Sequence, residues 1–395
     1  MPITLHVDLW GHSFTAYFLA YEGKLNPYEA LASLPKDHPI VTNFGVGDIF
    51  IYPPLTFFTL GFFRIIIKPF TDPEFLPFVM EFPSRVYERS DLFLNLFLYK
   101  LPYLFIDIGL AFLLAASFTD SVKKKWAFIL WIFNPVTLYA TFMIGQVDIL
   151  PTFFTVLAVF LAARKKFIYA MLSIGIAASY KTYPLLFILP AAFTFGVKLK
   201  DRLKYIAAGF TPFVLTILPY LGSPAFRSMV LFSPKSQKMF FMGWNLSGAE
   251  VLFPFVISVF LIYFVSYYKT NKLNSAVYFL SILLVTYSVT HYHPQWFLWV
   301  TPFLIWFMVE LKFKYWEIIL IFFSCWLFIT LLFEPSLSLG LFNPINPSLN
   351  NLQGLESLLS KYTNVFQLKS SVRSIFAAAS IYYVYTLLKK PAFKK

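Results

Sequence analysis

The sequence is poor in charge and nearly devoid of cysteine. Only 13% of its 395 residues are Asp, Glu, Lys or Arg, where soluble domains carry roughly a quarter. With 58% of the chain hydrophobic, too little polar material remains to cover a water-facing surface, so an autonomous soluble domain is excluded. The one cysteine, Cys325, lies inside an apolar run; a disulfide framework and a thiolate metal cluster are excluded with it. Acidic residues are scarce as well, 19 against 32 Lys and Arg. The chain shows no internal repeat and no low-complexity tract. A secretory signal is not expected at the start, because Asp8, His12, Glu22 and Lys24 interrupt the first apolar block.

Apolar runs long enough to approach a bilayer crossing fall near 101–118, 126–144, 149–163, 167–180, 183–197, 205–221, 251–268, 275–290, 296–309, 315–333 and 374–388. The predicted fold is therefore all-α and polytopic, with about 11 transmembrane helices in a single membrane domain. Several runs are short for a full span, which predicts tilted or partly re-entrant helices around a cavity. Within it, 1–100 is expected to form an outer loop with juxtamembrane helices, followed by transmembrane modules at 101–221 and 222–395.

The connections sort by charge. Lys123 to Lys125, Arg164 to Lys166, Lys198, Lys200, Arg202, Lys204, Lys269, Lys272, Lys312, Lys314, Lys389, Lys390, Lys394 and Lys395 all fall on one side, 18 of the 32 basic residues. By the positive-inside rule that side is cytoplasmic. The net charge of +13 is then topological, and nucleic acid is not an expected partner. The opposite side receives residues 1–100, the link Gly145 to Asp148, the turn at Lys181, the loop 222–250, the loop His291 to Gln295 and the loop 334–373. The run after Tyr52 (YPPLTFFTLGFFRIII) would invert every later loop if it crossed. It is expected to lie along the outer interface, with Arg64 and Lys68 snorkelling and Pro53 and Pro54 in its first turn.

The polar residues of that face are the informative ones. In HVDLWGH, Asp8 stands between His6 and His12, where a carboxylate with its pKa lifted by partial desolvation can act as general base toward an acceptor hydroxyl. Asp48 precedes YPPL closely enough to be a second candidate base. Asp148 is placed either to bind hydroxyls or to pair with Lys181, and Asp107, inside a span, is expected to be structurally paired. His291 and His293 have i, i+2 spacing in an aromatic loop. Acids near a phosphate can hold Mg²⁺ or Mn²⁺, although no tight ligand set is visible. The sequence Asn245, Leu246, Ser247 forms a sequon on an outer loop, a pattern common by chance.

The order of these elements resembles the GT-C superfamily of membrane glycosyltransferases that use polyprenyl-phosphate sugars. It is closest in pattern to the catalytic subunit of GPI mannosyltransferase I and the related prokaryotic enzymes. The resemblance rests on Asp8, on Gly23 with Pro27 and Tyr28, on Tyr52 to Leu55, on LWIFNPVTLYATFMIGQVD (Leu130 to Asp148) and on SYKTYPLLFILP (Ser179 to Pro190). From 190 onward it thins to HYHPQWFLW. It departs from the family where Leu9 and Trp10 follow Asp8, leaving the Asp-x-Asp pattern incomplete, and in a start that looks one helix late.

The resemblance implies transfer of a sugar, mannose first, from a polyprenyl or dolichyl phosphate to a lipid-linked or glycolipid acceptor. Asp8 would take the acceptor proton. Lys181 and Lys100, with Arg89 behind them, would hold the donor phosphate, whose charge grows as the sugar leaves. Gln146, Asp148, Tyr52, Tyr183, His291 and His293 would line the sugar and acceptor site. Membrane lipids and a small membrane subunit are the further partners expected, in a prokaryotic (archaeal included) cell membrane or the ER membrane. A transporter or glycolipid flippase is the rival class; it predicts paired broken helices and inverted repeats with polar sites at the midplane, which this sequence does not show.

Overall fold

The computed structural model describes residues 1–45, 49–269 and 274–389. Its architecture is helical, with one small hairpin among the described residues. Among the described residues four stretches are long and apolar enough to cross a membrane: Leu92–Ala116, Ser121–Ile144, Leu199–Tyr220 and Val365–Lys389. Six shorter apolar helices of 10–17 residues accompany them. At 1.5 Å per residue a 15-residue helix spans only about 22 Å, short of a hydrocarbon core of about 30 Å. The expected shortness of several apolar runs is thus seen in the helices themselves.

The amino-terminal region folds as α1 (Val7–Glu22) and α2 (Pro54–Ile67), which pack on each other. Helix α2 opens with Pro54 in its first turn, where a missing N–H costs nothing. Its Phe57, Leu60 and Ile67 are buried, while Phe62, Ile65 and Ile66 face outward, the amphipathic split expected of a surface helix. Arg64 departs from expectation. It does not snorkel; it is 4% exposed, with its guanidinium 3.5 Å above the Tyr99 ring.

The bundle follows as α3 (Leu92–Ala116), α4 (Ser121–Ile132), α5 (Ile149–Ala163), α6 (Phe167–Tyr180), α7 (Leu185–Phe195) and α8 (Leu199–Ile217), then α9 (Pro254–Tyr268), α10 (Ser275–Val289), α11 (Thr301–Glu310), α12 (Trp316–Leu331) and α13 (Val365–Lys389). Each of the eleven expected apolar runs meets one of these elements, although α4 stops at Ile132 and the rest of the 126–144 run continues as a short turn and a π-helix. Helices α6 and α8 cross so closely that a Cβ on Gly175 would stand 2.3 Å from the Gly209 carbonyl oxygen, the small-residue contact that membrane helices use to approach. Inside the bundle Asp107 accepts from the Trp131 indole at 2.8 Å, which satisfies a carboxyl group that would otherwise be costly there.

The Asn134–Pro135 pair ends α4, because the proline cannot continue its ladder and Asn134 caps the next turn through the Val136 N–H at 2.9 Å. Residues Leu138–Ile144 then wind as a π-helix that stops at Gly145, in the left-handed region at φ 83°.

Candidate active site

The short motifs of the sequence touch one another. Asn26 caps the turn Pro27–Ala32 and orients Tyr28, which is fully buried and donates its hydroxyl to the Tyr52 carbonyl at 2.6 Å. The Tyr52 hydroxyl reaches Gln146 Oε1 at 3.4 Å, and Gln146 Nε2 donates to Asp8 Oδ2. Thr56, one turn into α2, donates to the Tyr180 carbonyl at 2.9 Å. That bond ties the YPPL element to the end of α6, where Lys181 turns into an extended conformation. A tyrosine, a glutamine and a threonine thus set the spacing between Asp8 and Lys181.

These residues border a polar cavity of about 420 Å³, lined by Asp8, His6, His12, Tyr52, Lys181, Lys235, Lys238, His293, Trp296 and Glu334 among others. Through Ile51, Tyr52, Lys181, Lys235 and Trp296 it shares its wall with a mainly apolar cavity of about 330 Å³ that runs between α7, α9 and α10. Asp8 begins α1, whose first turn is capped by His6 Nδ1 accepting from the Asp8 N–H at 3.3 Å. Its carboxylate lies 3.6 Å from the same ring, with 36% of its side chain exposed. Burial pushes the carboxyl pKa upward, but the histidines around it and the Gln146 bond outweigh that and hold it below the ordinary value. His293 and His291 are driven the other way from charge: burial lowers them to about 3 and about 4. Near neutral pH Asp8 is therefore ionised and free to take a proton, but the upward shift expected of a desolvated carboxylate is absent, and it is a weaker base than an ordinary one.

Lys181 is held by Asp148, whose Oδ1 lies 2.7 Å from Nζ and also accepts from the Trp299 indole at 2.7 Å. Asp148 is completely buried and makes no side-chain cap to α5. It lies behind the lysine and not in the cavity wall. The ammonium faces Tyr52, Trp296 and Trp299, 4.8 to 5.8 Å from their ring centres, and Trp299 stacks on Tyr183 at 4.0 Å.

The expected site residues divide by place. Asp8, Tyr52, Lys181 and His293 line the polar cavity, and Tyr183 lines the apolar one. Gln146 and Asp148 are buried directly behind Asp8 and Lys181. Three others stand elsewhere. Lys100 is fully buried and donates to the carbonyls of Met1, Thr4 and Met143 and to the Thr4 hydroxyl; it staples the amino-terminal segment and does not reach the cavity. Arg89 is spent on Asp72 and Asp91, at 2.6 and 2.8 Å. His291 packs beside Trp296 without lining either cavity. Asp48 lies outside the described residues.

Sequence reasoning overlooked Lys235, Lys238 and Glu334, all of which line the polar cavity. The signal that could have found them was position: they lie in the loops 222–250 and 334–373, expected on the same face as Asp8 and Lys181. Among the described residues no three His, Cys, Asp or Glu side chains converge as a metal site. Several buried polar atoms around the two carboxylates have no hydrogen-bond partner among the described residues, namely His12 Nδ1, His293 Nδ1, Gln295 Oε1 and Asp148 Oδ2.

Comparison with protein families supplies the class. Residues 93–335, more than half of the chain, match glycosyltransferase family 87. The chain belongs to glycosyltransferase family 87. Membership makes it a membrane glycosyltransferase of the GT-C type and replaces the transporter as the class to be explained. Family 87 membership reaches Asp148, Lys181, Lys235, Lys238, His293 and Glu334, whereas Asp8 and Tyr52 come from residues before the matched stretch. No curated protein matches the chain.

Proposed function

We propose that this family 87 glycosyltransferase moves a mannosyl group from a polyprenyl or dolichyl phosphate to a hydroxyl of a lipid-linked or glycolipid acceptor, on the outer or lumenal face of its membrane. The observation that carries the reading is a pair of cavities that share a wall. A polar chamber lined by the ionised Asp8 and by three lysines shares its wall, at Lys181 and Lys235 among others, with an apolar chamber among helices. A prenyl-phosphate sugar has this division of polarity: sugar and phosphate in the first, isoprenoid in the second.

In the proposed step the acceptor oxygen attacks the anomeric carbon while its proton passes to Asp8. The bond from that carbon to the phosphate oxygen breaks, and the electron pair leaves with the prenyl phosphate. Charge gathers on that phosphate, and Lys181, with Lys235 and Lys238 beside it, stabilises it in a site with little water. Trp296 and Tyr52 offer flat apolar faces to the sugar. Attack opposite the leaving group inverts the anomeric centre, as the GT-C resemblance implies.

The test is transfer from synthetic polyprenyl-phosphate mannose or glucose to membrane glycolipid by the purified full chain. Asp8→Asn is expected to lower kcat by 10²-fold or more, with donor binding retained. Lys181→Ala is expected to raise the donor KM and lower kcat together. Full activity in Asp8→Asn overturns the base assignment, and transfer from glucose but not mannose overturns the sugar.

A further inference from the structure

Between α8 and α9 the chain forms two strands, β1 (Trp244–Ser247) and β2 (Glu250–Leu252), paired antiparallel with Trp244 across from Leu252 and Asn245 across from Val251. Every residue of both strands is exposed. Trp244 and Leu246 are 55% and 60% exposed, and Phe241 on the way in is 68% exposed. A two-stranded hairpin with neither face packed on a core is marginal in water. An apolar patch of this kind marks a surface meant to be covered.

We propose that the hairpin is a membrane anchor, seated at the headgroup level of the bilayer with its apolar side chains in lipid. Three observations point to lipid as the occupant. First, the hairpin runs directly into α9, whose Phe260, Leu261 and Phe264 form an exposed apolar stripe; a stripe on a membrane helix faces acyl chains. Second, its base is fixed to that helix: Phe240 packs edge-on against Phe253 and Phe255, with ring centres 5.0 and 6.4 Å apart. Third, depth follows from chemistry. The free edges of a two-stranded ribbon cannot enter hydrocarbon, because unpaired backbone groups are too costly there, while its tryptophan and aliphatic side chains favour the interface over water. The headgroup layer is where both conditions are satisfied.

The anchor bears on the cavities because the turn before it, Pro234–Phe240, carries Lys235 and Lys238 into the polar chamber and Met239 into the apolar one. A hairpin held in the headgroup layer keeps these side chains at the level at which a lipid-borne phosphate arrives. The placement needs only that the chain is a membrane protein, so it stands apart from the identity of the donor.

The test uses the full chain with Cys325→Ala, which removes the single, buried native thiol, reconstituted at one copy per phosphatidylcholine nanodisc. Nitroxide labels are placed by Leu246→Cys and, separately, Val251→Cys, with Asn351→Cys as an exposed loop control. Collision with oxygen, which concentrates in lipid, is compared with collision with a water-soluble nickel chelate. Oxygen accessibility above that of nickel at both hairpin positions, with the order reversed at Asn351, is the expected result. Nickel dominating at the hairpin overturns the anchor. So do low values for both reagents, which mean cover by protein, and attachment of a glycan to Asn245, which needs that residue in water.

Discussion

Lys181 owes its place to Asp148. A carboxylate with no exposed surface beside an ammonium whose side chain is 16% exposed is an expensive arrangement, offset by a 2.7 Å ion pair and the Trp299 N–H. Asp148→Asn keeps an acceptor for the indole but withdraws the countercharge, so the cost of burying Lys181 is no longer met. We expect a stability loss of about 3 kcal/mol, read as a fall in thermal midpoint, together with a higher donor KM. A variant unchanged in both would show that the pair holds nothing in place. Lysines and acids near the ends of apolar runs are visible in sequence because insertion penalises them. Their roles are not equally visible. Lys100 and Lys181 look alike in a string of letters, yet one ammonium is consumed by carbonyls of residues 1–4 and 143 and the other faces a cavity. What separates them is where a distant segment folds back, which local sequence does not encode.

At the scale of elements, the link from the π-helix to α5 decides where Gln146 points. The φ of 83° at Gly145 favours glycine, and a Cβ there would also crowd the side chains of Leu9 and Lys100 at 3.1 and 3.2 Å. Gly145→Ala is expected to cost about 1–2 kcal/mol in backbone strain and, by shifting Gln146 off Asp8, to reduce transfer more than it reduces stability; equal activity at wild-type level would contradict this. The imidazoles packed on α1 and on the loop before α11 give a second prediction. Burial, against the opposing charge of Asp8 and aided by Lys181, lowers His12 to about 4 and His293 to about 3. In the unfolded chain both take up protons near 6.5, while in the fold they resist until those lower values. Their neutral burial therefore leaves stability intact above about pH 6.5 and erodes it as pH falls toward 4. Asp8, held below its unfolded value, adds loss in the same direction only below about pH 4. Thermal midpoints in nanodiscs should drop between pH 7 and pH 5, and His12→Gln should reduce that drop; a flat profile would refute it.

For the whole molecule, the charge asymmetry makes a claim about orientation. In a Cys325→Ala background, a cysteine at Lys124 should react with an impermeant maleimide only after vesicles of known sidedness are opened, and one at Asn351 should react from outside. The reverse pattern would turn the proposed active face toward the cytoplasm. Eleven apolar runs, their shortness and the amphipathic helix after Tyr52 were all legible in sequence, because lipid imposes length and periodicity on each segment separately. The arrangement of Arg64 was not. A charge on a surface helix snorkels by default, and only the approach of Tyr99 from α3 gives its guanidinium an aromatic face to rest on.

Composition and patterning by themselves determined that this chain is an all-α membrane protein, and they singled out Asp8 and Lys181, which the structure places on one polar cavity. Those properties depend on how each segment partitions between water and lipid, a local quantity. The wall shared by a polar and an apolar chamber, the arrival of Lys235, Lys238 and Glu334 in the lining of the polar one and the placement of Lys100, Arg89 and His291 outside both linings were decided by tertiary structure alone. Each depends on contacts between residues far apart in the chain, among them Tyr28 with Tyr52, Gln146 with Asp8 and Thr56 with Tyr180, and such contacts exist only once the bundle has closed.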